Sequence, residues 1–209
     1  MASLSEPAVY RNAEPTHTDA YLLPVLTSVL AGLRLGDRKQ LFELGCGNGA
    51  TAEHLASLGY EVTGVDPSPT GIEIGRQARP HLNLQVGSSD EDLQARFGSF
   101  PVVVSLEVVE HVFQPRRFAA CVFSLLQPGG TAILSTPYHG YWKNLALALT
   151  GKMDDHFTAL WDNGHIKFWS IKTLSALLTE AGFVDLTFHR IGRIPAFAKS
   201  MIAVARRPE

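Results

Sequence analysis

The apolar run Leu41-Phe-Glu-Leu breaks into Gly45-Cys-Gly-Asn-Gly49-Ala50, and a second run, Glu61-Val-Thr-Gly-Val-Asp66, ends on a carboxylate. Glycines this close let the backbone bend sharply and approach a ligand with no side chain between them. An acid at the tip of the next strand accepts hydrogen bonds from two ribose hydroxyls. The pair predicts a site for a nucleoside-containing cofactor at the C-terminal edge of a parallel sheet. Two histidines have the chemistry and the position to take a proton there. His111 follows the apolar segment 101–106, and His165 lies in Asn163-Gly-His-Ile-Lys-Phe-Trp-Ser170, ahead of a helix that should start near the same edge.

The glycines leave the cofactor class open between two readings. Gly45, Gly47 and Ala50 fit the dinucleotide pattern G-x-G-x-x-A, so NAD and an oxidoreductase are one reading. Glu43 argues against it, because its charge would sit near a doubly negative pyrophosphate. A ligand carrying an amino acid and a sulfonium welcomes an acid there. No Tyr-x-x-x-Lys pair for hydride chemistry is evident.

These residues need strands and helices in alternation to hold them, and the chain supplies both. Strands are expected at about 40–45, 61–66, 83–86, 101–106 and 131–136, with helices at about 49–58, 69–78, 91–96 and 115–126 between them. Residues 17–34 repeat apolar side chains at helical spacing, with Pro24 permissible only near the start. Ser170 to Gly182 reads as a helix with an N-cap serine and a glycine stop. Phe183–Arg190 and Met201–Arg206 read as two closing strands. The stretch 137–169 breaks the alternation and holds all three tryptophans, Trp142, Trp161 and Trp169, with His139, His156 and His165. A connection this long is expected to fold as a cap or lid.

Glu43-Leu-Gly-Cys-Gly-Asn-Gly49 resembles motif I of the class I S-adenosylmethionine-dependent methyltransferases, and Val62-Thr-Gly-Val-Asp-Pro-Ser68 resembles their acidic second motif. Phe100 to His111 is similar to their fourth strand and the turn after it. Leu125-Leu-Gln-Pro-Gly-Gly-Thr-Ala-Ile-Leu-Ser-Thr-Pro137 is similar to their turn and fifth strand. The resemblance covers residues 38–137 in order and spacing. It implies a Rossmann-like, doubly wound, mostly parallel seven-stranded α/β sheet with an antiparallel C-terminal edge pair. It divides one domain, 1–209, into an N-terminal segment 1–36, a cofactor-binding core 38–137 and a cap insert 137–169.

The same resemblance implies S-adenosylmethionine as cofactor and assigns roles around it. Gly45, Cys46 and Gly47 offer main-chain contacts to the methionine portion and ribose, and Glu43 orients the turn or reaches the amino group through water. Asp66 takes the ribose hydroxyls and Pro67 packs on the adenine. Ser88, Ser89 and Asp90 fall where relatives contact the adenine amino group, and the backbone of Leu106 faces the cofactor. Acceptor recognition is implied for residues 1–25 and 137–169, with Tyr138, His139, Trp142 and Trp161 as binding residues. Glu107-Val-Val-Glu110-His111 is similar to the E-x-x-E-H of the ubiquinone-biosynthesis O-methyltransferases, where acids and histidine are implicated in holding a divalent ion. That implies an optional metal site at Glu107, Glu110 and His111; the expected arrangement is metal-free. The arginine that this group uses for the cofactor carboxylate has no clear counterpart before Leu41, and Tyr10, Arg11, His17 or Tyr21 are the candidates to replace it.

Composition limits the partners. A net charge of -2 with mixed signs gives no reason to expect nucleic acid. Two cysteines, Cys46 and Cys121, make neither a disulfide scaffold nor a cysteine zinc site. No signal-like N-terminus or bilayer-length apolar run is present, so a soluble cytoplasmic protein is expected. The faint amphipathic run Leu145 to Lys152 is the one hint of a membrane surface. The expected activity is methyl transfer to a small molecule, first at an aromatic hydroxyl and second at an amine. The alternatives are an NAD-dependent oxidoreductase and a catalytically silent S-adenosylmethionine-binding module.

Overall fold

A computed structural model of the chain describes residues 8–209. The N-terminal part of the stretch assigned to acceptor recognition, residues 1–7, lies outside the described residues. Five parallel strands, β1 (Gln40–Leu44), β2 (Glu61–Asp66), β3 (Asn83–Val86), β4 (Phe100–Ser105) and β5 (Leu126–Pro137), join an antiparallel pair, β6 (Val184–Ile191) and β7 (Ser200–Arg206). The order across the sheet is β3-β2-β1-β4-β5-β7-β6. The expected seven-stranded sheet with its antiparallel edge pair is present.

The pleat explains why this sheet carries helices on both faces. Neighbouring residues in a strand point to opposite sides. Leu41, Val102 and Val104 pack into one buried cluster with Leu22, Leu26, Leu55 and Ile72. Phe42 and Val103 pack into another with Phe118, Val122, Leu174 and Leu178. The first cluster takes α1 (Asp19–Gly32), α2 (Ala50–Ser57) and α3 (Pro69–Ala78). The second takes α4 (Leu93–Phe97), α5 (Pro115–Leu125) and α8 (Ile171–Glu180). Every residue of β4 is buried, as befits a strand sandwiched between two layers.

Three details differ from the sequence reading. Pro24 lies inside α1 rather than in its first turn, so the ring removes one ladder bond while Leu22, Leu26 and Leu30 anchor the helix by burial. Strand β5 begins at Leu126, ahead of the Pro128-Gly-Gly130 turn, and its pairing with β4 shifts register between Phe100 and Val102. The 137–169 connection is helical in part, with α6 (Tyr141–Leu149) and α7 (Met153–Phe157). It returns to the sheet through a bridge between Tyr138 and Trp169, and the indole of Trp169 donates to the Val109 carbonyl at 3.2 Å.

Candidate active site

Strands β1 and β4 are neighbours, but the chain leaves β1 toward β2 and β4 toward β5. That reversal opens a crevice beyond their carboxyl ends, where open α/β sheets take their ligands. The two loops that line it touch. Gly45 holds φ +87, and a Cβ there would run into the Val108 side chain from the turn after β4. Gly47 holds φ +54 and faces the Tyr10 ring in the same way. No other residue type fits both the left-handed backbone and the space.

The amides of the turn are already committed. Gly45 N and Cys46 N donate to the Val65 carbonyl at 2.7 and 3.1 Å, and Gly47 N donates to Asp66 Oδ2 at 2.9 Å. The main-chain contacts expected from these residues therefore fall to their carbonyl oxygens, which suits a cationic ligand better than an anionic one. Asp66 Oδ1 takes Ser68 N at 2.8 Å, so each carboxylate oxygen holds one amide and keeps a lone pair for a hydroxyl. Burial raises the Asp66 pKa and these two amides oppose the rise.

Acids crowd the crevice. Glu43 is buried with Oε2 unpartnered among the described residues, and burial, then Asp66 and Asp19, lift its pKa to about 8. Asp19, which the sequence reading passed over, is buried at the start of α1 and holds Thr16 through its backbone and hydroxyl, both at 2.9 Å. Tyr10 lies against Gly47 and Gly71, its phenol pKa raised by burial and then by Asp66. A strap carries Tyr10 there: Asn48 Nδ2 donates to the carbonyls of Asn12 and Glu14 at 3.0 and 2.9 Å, and Arg79 donates to Ala13 O at 2.9 Å. Of the four residues considered in place of the missing arginine, Tyr10 reaches the turn and Tyr21 reaches the far side of the crevice. Arg11 and His17 are exposed.

The turn after β4 carries the first candidate base, His111. His111 Nδ1 lies 3.1 Å from Asn163 O and 3.2 Å from Gly164 O. Carbonyls only accept, so Nδ1 carries the proton and Nε2 keeps its lone pair. Burial lowers the pKa of His111, so the ring is neutral near pH 7. His165 stacks edge-on at 4.9 Å, and burial with neighbouring His111 takes it to about 4. A base that weak takes a proton poorly near neutral pH.

The two glutamates of the motif diverge. Glu107 adopts φ 53, a left-handed conformation, and donates its N–H to Ser135 Oγ at 2.9 Å. Its carboxylate accepts from Ser135 Oγ at 2.8 Å and Ser200 Oγ at 3.3 Å, and Tyr21 OH lies 3.3 Å from Ser200 Oγ. Burial takes Glu107 to about 7. Glu110 is 1% exposed, and both its oxygens lack a hydrogen-bond partner among the described residues. The ligand atoms of Glu110, His111 and His165 lie within 4.8 Å of one another. The optional metal set from the sequence is thus rearranged: hydroxyls occupy Glu107, and His165 stands in its place.

The remaining assigned residues are placed as follows. Leu106 is half-buried just past β4, packed on the cluster that includes Cys46. Pro67 is exposed beside Asp66. Ser88, Ser89 and Asp90 follow β3, next to the Asp66 strand end. Ser88 and Asp90 are tied into a local turn, with Ser88 N on Glu91 Oε1 and Asp90 N on Ser88 Oγ, both at 3.0 Å. Tyr138 packs in the core cluster of α5 and α8, and Trp142 is 61% exposed against Tyr141. Trp161 stands edge-on to His111 at 6.2 Å, and His139 sits in a ring of His156, Phe157 and Phe168. Of the four acceptor residues expected, Trp161 stands at the His111–His165 pair and His139 at His156.

Comparisons with known proteins bear on the family and the fold. A family model described as "Methyltransferase domain" matches residues 17–187. A ubiquinone biosynthesis O-methyltransferase of Cereibacter sphaeroides is 36% identical over 115 residues, covering 54% of this chain and 46% of that protein. The chain thus spans about half the length of such curated relatives. Among solved structures, a Pyrococcus horikoshii protein superposes with TM-score 0.72 at 18% identity, covering 96% of this chain and 95% of that one. Human N-acetylserotonin methyltransferase, solved with S-adenosylmethionine, superposes at 0.63 with 18% identity, covering 88% and 51%. These two show the fold. The sheet order, the acid-tipped glycine turn and the match over most of its length place this chain in the methyltransferase-domain family, with the class I fold of S-adenosylmethionine-dependent methyltransferases.

Proposed function

We propose that this chain methylates a hydroxyl of a small aromatic acceptor, using S-adenosylmethionine. The observation that carries the reading is His111: two cap carbonyls fix its ring in one tautomer, with a free Nε2, on the turn that packs against Gly45. The likeness to ubiquinone O-methyltransferases supports oxygen over nitrogen as the acceptor atom.

The residues fit the cofactor. Gly47 and Gly45 keep a backbone face clear, Asp66 has lone pairs for ribose hydroxyls, and the orphaned carboxyl of Glu43 awaits a cationic group. When bound, S-adenosylmethionine supplies a methyl group already activated on a sulfonium. His111 Nε2 takes the hydroxyl proton as the oxygen attacks, and the cap over residues 137–169 excludes water from the crevice. In this division residues 38–137 hold the cofactor, while α1 and the cap hold the acceptor. Pro67 and the 88–90 turn flank the adenine, and His139 and Trp161 flank the acceptor ring.

A second reading has one observation in its favour. The two unpartnered oxygens of Glu110, beside His111 and His165, form a mixed carboxylate–imidazole set suited to a borderline divalent ion. Such an ion would lower the pKa of a bound hydroxyl.

The test is His111→Ala assayed against a panel of phenols and catechols, with and without added zinc or manganese. Loss of a general base should reduce turnover by about 10²–10⁴-fold while S-adenosylmethionine affinity stays unchanged. Equal turnover in variant and wild type would refute the assignment. Activity that appears only with metal would favour the second reading.

A further inference from the structure

One charged group of the cofactor is badly matched by the glycine turn. S-adenosylmethionine carries a sulfonium, an ammonium and a carboxylate. The two cations suit the orphaned carboxyl of Glu43 and the carbonyl oxygens of the turn. The carboxylate meets the opposite surroundings. Glu43 and Asp66 are buried acids beside it, and the amides of Gly45, Cys46 and Gly47 already donate within the fold. A carboxylate buried without a donor is strongly disfavoured, and neighbouring acids add to the cost. The polar side chains at the turn are committed as well. Arg79 donates to Asn48 O at 3.2 Å and Ala13 O at 2.9 Å, and the Asn48 carboxamide donates to Asn12 O and Glu14 O.

The hydroxyl of Tyr10 is different, because it has no hydrogen-bond partner among the described residues; the backbone N–H of Tyr10 goes to Thr70 Oγ1 at 3.4 Å. A Cβ added at Gly47 would collide with this hydroxyl, and one added at Gly71 would collide with the ring. The hydroxyl therefore hangs over the glycine turn while the ring lies across the first turn of α3. The strap fixes it there from both sides. Ser68 Oγ donates to Ala8 O ahead of Tyr10, and Asn48 and Arg79 hold Asn12, Ala13 and Glu14 behind it. Burial, then the charge of Asp66, pushes the phenol pKa up, so the hydroxyl keeps its proton and stays a donor. Glu43 and this hydroxyl act on one short stretch, residues 43–47, and the ammonium and carboxylate of the cofactor share one carbon.

We infer that the Tyr10 hydroxyl donates to the carboxylate of bound S-adenosylmethionine, so that the strap reads the amino-acid end of the cofactor. The inference rests on the cofactor reading proposed above and adds a binding residue to it. A phenol answers the carboxylate without bringing another cation beside the sulfonium, whose charge the acids of the crevice already balance. Because the donor rides on the strap, the cofactor and the strap hold each other in place.

The experiment is calorimetric titration of wild type and Tyr10→Phe with S-adenosylmethionine and with decarboxylated S-adenosylmethionine. The second probe keeps the sulfonium and the ammonium and lacks only the carboxylate. Phenylalanine keeps the ring across Gly71 and removes only the donor. Wild type should prefer S-adenosylmethionine by about tenfold or more. Tyr10→Phe should lose most of that preference by binding S-adenosylmethionine more weakly, with affinity for the decarboxylated probe unchanged. Equal binding of the two probes to wild type, or a preference that Tyr10→Phe leaves intact, would overturn the inference. Equal weakening of both probes in the variant would also overturn it, by reducing the phenol to packing. Binding of neither probe to wild type would instead strike the cofactor reading beneath it.

Discussion

Glu43 is the residue at which the site's electrostatics become measurable. Its carboxyl ionises near 4.5 when exposed, and burial with two acidic neighbours holds it to about 8 in the folded chain. The folded state therefore keeps a proton that the unfolded state releases. This contribution to stability is complete below about pH 4.5 and is lost as pH rises through about 8. Glu43→Gln should melt close to wild type at about pH 5 and a few degrees above it at about pH 9 in the absence of ligand. Parallel melting curves across that range would contradict the burial of an uncompensated acid. A cationic ligand reverses the sign at this residue, so binding near neutral pH should release protons. That release would appear as a dependence of the calorimetric enthalpy on the buffer's ionisation heat.

At the scale of elements, two devices hold the site in shape. Helix α8 begins with a capping box in which Ser170 Oγ and Thr173 each take the other's backbone N–H. Ser170→Ala should cost about 1 kcal/mol and lower Tm by roughly 2–4 °C. The strap is held by the carboxamide of Asn48, which reaches two carbonyls from within the glycine turn. Asn48→Ala should leave the sheet intact and speed both cofactor release and proteolytic cleavage between residues 8 and 18. Stopped-flow dissociation and limited proteolysis read the two effects, and an unchanged release rate would mean that the strap does not cover the cofactor.

These elements also show what a sequence reveals and what it hides. The glycine turn, Asp66 and the Ser170 cap are local patterns, written within a few consecutive residues, and they stand where they were expected. Asp19 and Ser200 gave no such sign, because their meaning is tertiary. Ser200 meets Glu107 across a separation of 93 residues, and only the antiparallel return of β7 beside β5 brings it there. The same holds for the metal option. The E-x-x-E-H spacing names Glu107, but a left-handed backbone turns its carboxylate toward two serines and leaves the place to His165. The three tryptophans of the 137–169 stretch likewise part ways only in three dimensions: Trp169 is core, Trp142 is surface, and Trp161 stands edge-on to His111.

For the whole molecule, the layout follows from one topological fact, the reversal of strand order between β1 and β4. It places the acid-lined glycine turn on one side of a crevice and the histidine turn on the other, with the cap above. Among the described residues no helix is long and apolar enough to cross a membrane. The central claim is that this crevice takes S-adenosylmethionine through the turn that Asp66 organises. The most direct test is calorimetric titration of wild type and Asp66→Ala with S-adenosylmethionine, and with NAD in parallel. The account predicts micromolar binding of S-adenosylmethionine, weakened at least about a hundredfold in the variant, which loses both the ribose acceptor and the anchor of Gly47 N. Binding of NAD in its place, or S-adenosylmethionine affinity indifferent to Asp66, would contradict it.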